Sequence, residues 1–233
     1  MPMTWQSIWR NKMSNLKFFD EGHRYELDGV EIPSVSELSR FASREVYNND
    51  ISKYTLDMAC ERGTAIHKAT EELDLYGKCD ISPQYIEYLN AYLKFRNDFN
   101  IKDYLYIEKP FASEFYRYAG TLDRVYIIDE DFIKAVKKHC KVDISNRKGM
   151  LAIIDLKSSS AVQKVLAKIQ LPAYAQLLEE NHKDNLVGFL GILHLKKDGK
   201  YKLTEYEDNP ELFYACLSLH TAFIKKKKIK KEK

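Results

Sequence analysis

Asp155 and Lys157 stand one residue apart in the apolar run Ile153-Ile154-Asp155-Leu156-Lys157. In a strand, side chains repeat every two residues, so this carboxylate and ammonium fall on one face. A lone Asp-x-Lys is usually a plain salt bridge. The chemistry that the pair suits is metal-assisted hydrolysis, with Asp155 ligating a hard divalent ion and Lys157 orienting or deprotonating the attacking water. Asp123 closes Ala119-Gly120-Thr121-Leu122-Asp123, and alone it reads as a turn or cap residue. If its strand lies beside that of Asp155, one cation can serve both carboxylates and relieve their repulsion. His67 and Glu71 are four residues apart, hence neighbours on a helix, at the edge of an Ile66/Ala69/Leu73 stripe. A surface His–Glu contact is the plainer reading of that pair. Zinc lacks a recognisable third ligand, and His139-Cys140 adds no zinc spacing. Gln170 and Tyr174 also share a helix face, as an ordinary half-buried pair or as polar tips for a phosphate, a water or the surroundings of the lysine.

The elements that must position these groups follow from periodicity and punctuation. Residues 23–33 read as a hairpin, with Tyr25, Leu27, Val30 and Ile32 as strand residues and Asp28-Gly29 as a type I′ turn. Ser34 or Ser36 can cap a short helix after it. A helix is expected from Asp57 to about Tyr76, stopped by Gly77. A second is expected over Pro83–Phe99, with Ile86, Leu89, Tyr92 and Leu93 as its apolar residues. Tyr104–Ile107, Thr121–Ile128 and Met150–Leu156 are β-prone, the last two as central strands. The basic segment Lys134–Lys148 looks like an extended hairpin or flap. Pro172 argues for a helix that begins near Lys168 and runs to Glu180, with Val162–Leu166 as a separate turn. Strands near Leu186–Leu195 and Tyr201–Tyr206, joined through Asp198-Gly199, precede a helix from about Pro210 into the lysine tail. The expected class is α/β with a mixed sheet.

The 233 residues are 45% hydrophobic and 30% charged, which suits a globular chain and excludes collagen-like and disordered classes. The net charge of +3 is concentrated at one end, because Lys225–Lys233 holds seven lysines and one glutamate. The remainder is therefore mildly acidic, at −3. Such a body does not coat nucleic acid by charge alone, and the tail is either a solvated helix end or a sequence-independent phosphate contact. No apolar run suits a transmembrane helix, and Met1 to Leu16 carries no secretory signal pattern. The scattered Cys60, Cys79, Cys140 and Cys216 fit reduced thiols in a cytoplasmic protein. With no repeat or linker, one domain is expected over 1–233: a core at about 57–195, an N-terminal hairpin and helical extension over 1–56, and a C-terminal helix with a basic tail over 208–233.

Taken together, these motifs resemble the RecB-like branch of the PD-(D/E)XK nuclease superfamily, especially compact phage-type exonucleases and their mitochondrial relatives. The matching positions run in order: Gly63/His67/Glu71, Gly120/Asp123, Asp155/Lys157 and Gln170/Tyr174, with Glu108 ahead of the Gly-Thr-Leu-Asp strand. The resemblance covers roughly Asp57 to Leu195, and the N-terminal hairpin adds weaker support. It implies a restriction-endonuclease-like core and a Mg²⁺- or Mn²⁺-dependent DNA nuclease, an exonuclease of a phage or prophage acting in the bacterial cytoplasm. Asp123, Asp155, the Leu156 carbonyl and His67 would ligate metal, and Lys157 would position the attacking water. Gln170 and Tyr174 would hold the DNA backbone or orient the lysine, and Glu71 would steady His67 or reach a second metal through water. The implied partner is DNA, with a phage recombinase, a single-strand-binding protein or further copies of the chain as additional options. An iron–sulfur cluster, present in some members, is not expected, because only Cys216 lies beyond the core motifs. No phosphate-binding Gly-x-x-x-x-Gly-Lys-Ser/Thr loop occurs, so no ATPase module is expected. A structure-specific or restriction-type endonuclease is the alternative within the class, and a non-catalytic nucleic-acid-binding subunit is the alternative outside it.

Overall fold

Ser52 and Gly77 bracket a long amphipathic stretch and fix both ends of a helix. The computed structural model describes residues 15–19, 21–39, 42, 52–182 and 186–231, with side chains as far as Phe223. Leu16–Phe19 (β1), Arg24–Leu27 (β2) and Val30–Ile32 (β3) form a small antiparallel sheet in chain order. Asp28 (φ +53°) and Gly29 (φ +78°) are both left-handed, as a type I′ turn requires. β1 joins the expected hairpin; its four residues are too short to announce a period. Ser34 caps Val35–Leu38 (α1) by accepting from the Glu37 N–H at 3.0 Å. The helix Lys53–Tyr76 (α2) starts four residues before the expected position, because Ser52 accepts from the Thr55 N–H. It ends where Gly77 turns left-handed and donates to the Leu73 carbonyl at 2.9 Å.

A 3₁₀ turn, Pro83–Tyr85, leads into Ile86–Asp98 (α3). Ile86 and Leu93, expected on its apolar face, are exposed, whereas Tyr88, Leu89, Ala91, Tyr92 and Phe95 are buried. The helix is rolled toward its aromatic rings, which carry more apolar area per residue than the aliphatic pair.

The main sheet comprises Tyr106–Ser113 (β4), Tyr118–Ile127 (β5), Leu151–Lys157 (β6), Val187–Leu195 (β7) and Tyr201–Tyr206 (β8), in that spatial order. Only the β6–β7 pairing is parallel, so the sheet is mixed and flanked by helices, as the alternation of elements implies. The parallel pair is joined by Lys164–Asn181 (α5), a crossover of the length that parallel neighbours demand. Pro172 sits inside this helix, contrary to expectation. Its lost hydrogen bond costs about 3 kcal/mol, yet Ala167, Ile169, Leu171, Ala173, Leu177 and Leu178 are all buried along one continuous helix, and that packing outweighs the break. The basic segment is not a flap. Glu130–His139 (α4) is a helix capped by Asp129, with Phe132, Ile133 and Val136 buried and lysines facing solvent, followed by a 3₁₀ turn at Ser145–Arg147. Its period of 3.6 is hidden by the density of lysine.

Two cores form on opposite faces of the sheet. Ala152, Ile154 and Leu156 pack with α2, α3 and α4; Leu151 and Ile153 pack with α1, α5 and Glu211–Lys231 (α6). The four cysteines are unpaired. Among the described residues no helix is long and apolar enough to cross a membrane. The rest of the expected N-terminal extension, and the side chains of the lysine tail, lie outside the described residues.

Candidate metal and active site

The alternation of β5 slips at one point. Leu122 and Val125 both join the core beneath α5, while Tyr126 joins the opposite core and Arg124 meets Tyr92 of α3. Opposite, the β4–β5 ladder passes from Ile107↔Arg124 to Lys109↔Leu122, and the intervening Glu108 is left-handed at φ +43°. The register is the same on both sides, so no residue is inserted; the left-handed backbone at Glu108 interrupts the pairing opposite Asp123 and re-aims the side chains there. Here it brings Glu108 and Asp123 to the same place, at the carboxyl end of β6.

His67 of α2 closes the group. Its Nδ1 lies 3.1 Å from Glu108 Oε1 and 3.7 Å from Asp123 Oδ1, and its Nε2 lies 3.3 Å from the Leu156 carbonyl. Each ring nitrogen thus faces an oxygen, an arrangement that favours the doubly protonated imidazole when Glu108 is ionised. Burial opposes that charge, but Asp123 and the hydrogen-bonded Glu108 prevail and lift the pKa to about 9. Asp123 Oδ2 in turn accepts from the Leu156 N–H at 2.6 Å, locking the β5 carboxylate onto the β6 backbone.

Asp155 follows one step beyond the Arg124↔Ile154 pair of the same ladder. It is buried, and its Oδ2 lies 2.6 Å from Lys157 Nζ, while Lys157 stays one-third exposed. Burial raises the pKa of both Asp123 and Asp155, against the lowering pull of His67 and Lys157 respectively. Ionised carboxylates here need cations. Tyr174 presses against Gly120: a Cβ at Gly120 would sit 2.7 Å from the ring, so only glycine permits that approach. Burial, with Asp155 and Asp123 nearby, drives the Tyr174 phenol well above its ordinary pKa. Gln170, one turn earlier, contacts Ser39 at 3.5 Å and ties α5 to the end of α1. Glu71 lies one turn beyond His67 on α2, half-buried.

The spacing of motifs does not reveal what holds this group in place. Arg124, fully buried, donates to Asp74 (2.6 Å), Glu108 (3.0 Å), Thr70 (3.1 Å) and the Asp123 carbonyl (2.6 Å). Asp74 also pairs with Arg96 at 2.9 Å and accepts from Tyr92. The available signals were a charge inside the apolar run Thr121–Ile128, and the shared helix face of His67, Thr70 and Asp74. Tyr25, a strand residue by its period, also bonds Thr121 through its hydroxyl, two residues before Asp123.

Ligand atoms of His67, Glu108 and Asp123 all lie within 4.8 Å of one another. Two carboxylates, an imidazole and the nearby carbonyl make a largely hard donor set, suited to Mg²⁺ or Mn²⁺ and not to a thiolate-seeking metal. The two buried acids with raised pKa values support the fit, since a divalent ion would supply the missing positive charge. Coordination by His67 would require loss of a ring proton.

No family model and no curated protein matches the sequence. One solved structure that does match is a crystal structure of a "Putative exonuclease" from Eubacterium rectale, with 13% identity and a TM-score of 0.44, covering 81% of this chain and 76% of that one.

Proposed function

We propose that the chain is a divalent-metal-dependent DNA nuclease of the RecB-like PD-(D/E)XK type, hydrolysing phosphodiester bonds as an exonuclease. The observation that carries this reading is the meeting, at the end of β6, of Asp123, Glu108 and His67 with the Asp155–Lys157 pair. A binding subunit has no use for buried acids kept beside a lysine. His67, Asp123, Asp155 and the Leu156 carbonyl would hold Mg²⁺ or Mn²⁺, with Glu108 as a further donor. The ion would supply Lewis acidity toward the phosphate and the water. Lys157, partly exposed beside Asp155, orients the attacking water and offsets the charge that develops on phosphorus-bound oxygen. Tyr174 supports β5 through its contact with Gly120. Gln170, one turn from Tyr174, would hold the DNA backbone, and Glu71, one turn from His67, would reach a second metal through water, since Glu108 and the Leu156 carbonyl already engage both ring nitrogens of His67. The action on DNA, the phage or prophage setting and association with a recombinase or single-strand-binding protein belong to this proposal.

The test is digestion of linear, nicked and circular DNA with Mg²⁺, Mn²⁺ or EDTA. Metal-dependent loss of linear DNA alone supports an exonuclease, and cutting of closed circles supports an endonuclease instead. Asp155→Asn should abolish turnover, and Lys157→Met should lower it about 10²-fold or more while DNA binding persists. Wild-type rates in either variant would reject the site, and binding without cleavage in the wild type would favour a non-catalytic subunit.

A further inference from the structure

The small N-terminal sheet reaches the candidate site through a hydrogen-bonded line of three side chains. Tyr25 is buried, with its hydroxyl 2.8 Å from Thr121 Oγ1 and 3.1 Å from His23 Nε2. Thr121 precedes Asp123 by two residues on β5 and is half-buried. The Tyr25 hydroxyl feels the charges of Asp123 and Glu108, which, after burial, contribute to a pKa raised to about 12. His23 itself is exposed at the turn before β2.

His23 is held with unusual care for an exposed turn residue. Its backbone is left-handed (φ +49°) directly after left-handed Gly22 (φ +76°), a strained state for a residue with a Cβ. Its ring stands edge-on to Phe18 (5.0 Å between centroids, 79°) and to Tyr25 (5.5 Å, 87°). The sheet is docked by the Tyr25–Thr121 bond, by the Ala119 N–H donating to the Pro33 carbonyl (3.0 Å), by Arg117 donating to the Leu27 carbonyl (3.2 Å), and by apolar contacts of Tyr25, Leu27 and Ile32 with Ala112 and Ala119; His23 enters none of these. Docking does not need an imidazole fixed by two rings and a hydroxyl. A fixed imidazole beside a half-buried hydroxyl, at the rim of an acidic site, is suited to an anion that enters with the substrate.

We propose that His23 and the Thr121 hydroxyl form a subsite for a DNA phosphate adjoining the scissile one, with Tyr25 as the buried bridge that fixes both. The subsite rests on the nuclease reading and deepens it: cleavage chemistry sits at the end of β6, and the neighbouring phosphate is received from the N-terminal sheet. Tyr25 acts as a positioning residue. His23 and Thr121 touch the substrate backbone, without base specificity.

The experiment is a cleavage series on oligonucleotides that each carry one uncharged methylphosphonate in place of a phosphate. In the wild type, one position beside the cleaved bond should lower kcat/KM about tenfold, the worth of a charge-assisted hydrogen bond. His23→Ala should lower kcat/KM on unmodified DNA by about the same factor, mainly through KM, and should be insensitive to the methylphosphonate at that one position. Thr121→Val is the second variant and should show the same insensitivity. Identical methylphosphonate profiles in the wild type and both variants would overturn the subsite, as would a loss confined to thermal stability. A wild type that cleaves no DNA with either metal would overturn the nuclease reading and the subsite with it; cleavage with unaltered profiles would overturn the subsite alone.

Discussion

Arg124→Met is the sharpest probe of how the site is held. The guanidinium is fully buried and makes charge-assisted bonds to Asp74 (2.6 Å) and Glu108 (3.0 Å), besides those to Thr70, Tyr92 and the Asp123 carbonyl. Breaking a buried ion pair by removing one partner costs about 3–5 kcal/mol, because the other charge stays buried and unpaired. Here the orphaning is partial. Asp74 keeps Arg96 at 2.9 Å, and Glu108 keeps His67 at 3.1 Å. The lower end, about 3 kcal/mol, is therefore expected, since methionine recovers part of the packing of the arginine stem. With a urea slope of about 3 kcal/mol per molar for a chain of this size, the unfolding midpoint should fall by about 1 M at unchanged slope. Arg124→Met combined with Asp74→Asn should be less damaging than the two losses added, by about 1 kcal/mol or more, because the second change removes the orphaned charge. A midpoint shift below about 0.3 M at unchanged slope, or simple additivity in the double variant, would refute the view that Arg124 is the electrostatic anchor of the site.

Gly120→Ala should destabilise the fold by about 1–3 kcal/mol, since its Cβ would meet the Tyr174 ring at 2.7 Å and Val35 at 3.0 Å; urea unfolding measures it, and a neutral result would show that the ring has room to move. His182 is buried with Nε2 2.8 Å from the Tyr106 hydroxyl, and burial lowers its pKa below the ordinary 6.5. Its neutral form is the one that folding favours, so its contribution is complete above the unfolded pKa and is lost as pH falls through 6.5 toward the folded value. The melting temperature of His182→Gln should accordingly fall less than that of the wild type between about pH 7.5 and about pH 5, and parallel curves would contradict this. Deleting Lys225–Lys233 removes a net charge of +6. That deletion should weaken DNA affinity chiefly at low salt and flatten its salt dependence while leaving saturated turnover nearly unchanged, as titrations at several salt concentrations would show.

Some of this protein is written locally in its sequence. Gly77, the Asp28-Gly29 turn and Ser34 act through their own backbone or the next few residues, so a turn, a helix stop and a cap can be read without knowing the fold. The strands of the mixed sheet are legible because β6 and β7 are buried on both faces and read as continuous apolar runs. The order of the motifs along the chain marked His67, Asp123, Asp155, Lys157 and Tyr174 as candidates, while period adds only that Asp155 and Lys157, and Gln170 and Tyr174, share a face. Tertiary structure decided the rest. The helix through Pro172 and the lysine-rich α4 exist because long-range burial outweighs local preference. The roll of α3 depends on which rings its neighbours can accommodate. The positions of Glu108 and Asp123 depend on a slip in strand alternation, which no period announces. The network of Arg124 with Asp74, 50 residues away, arises only when α2 is laid against β5, because a buried charge finds its partners across space and not along the chain.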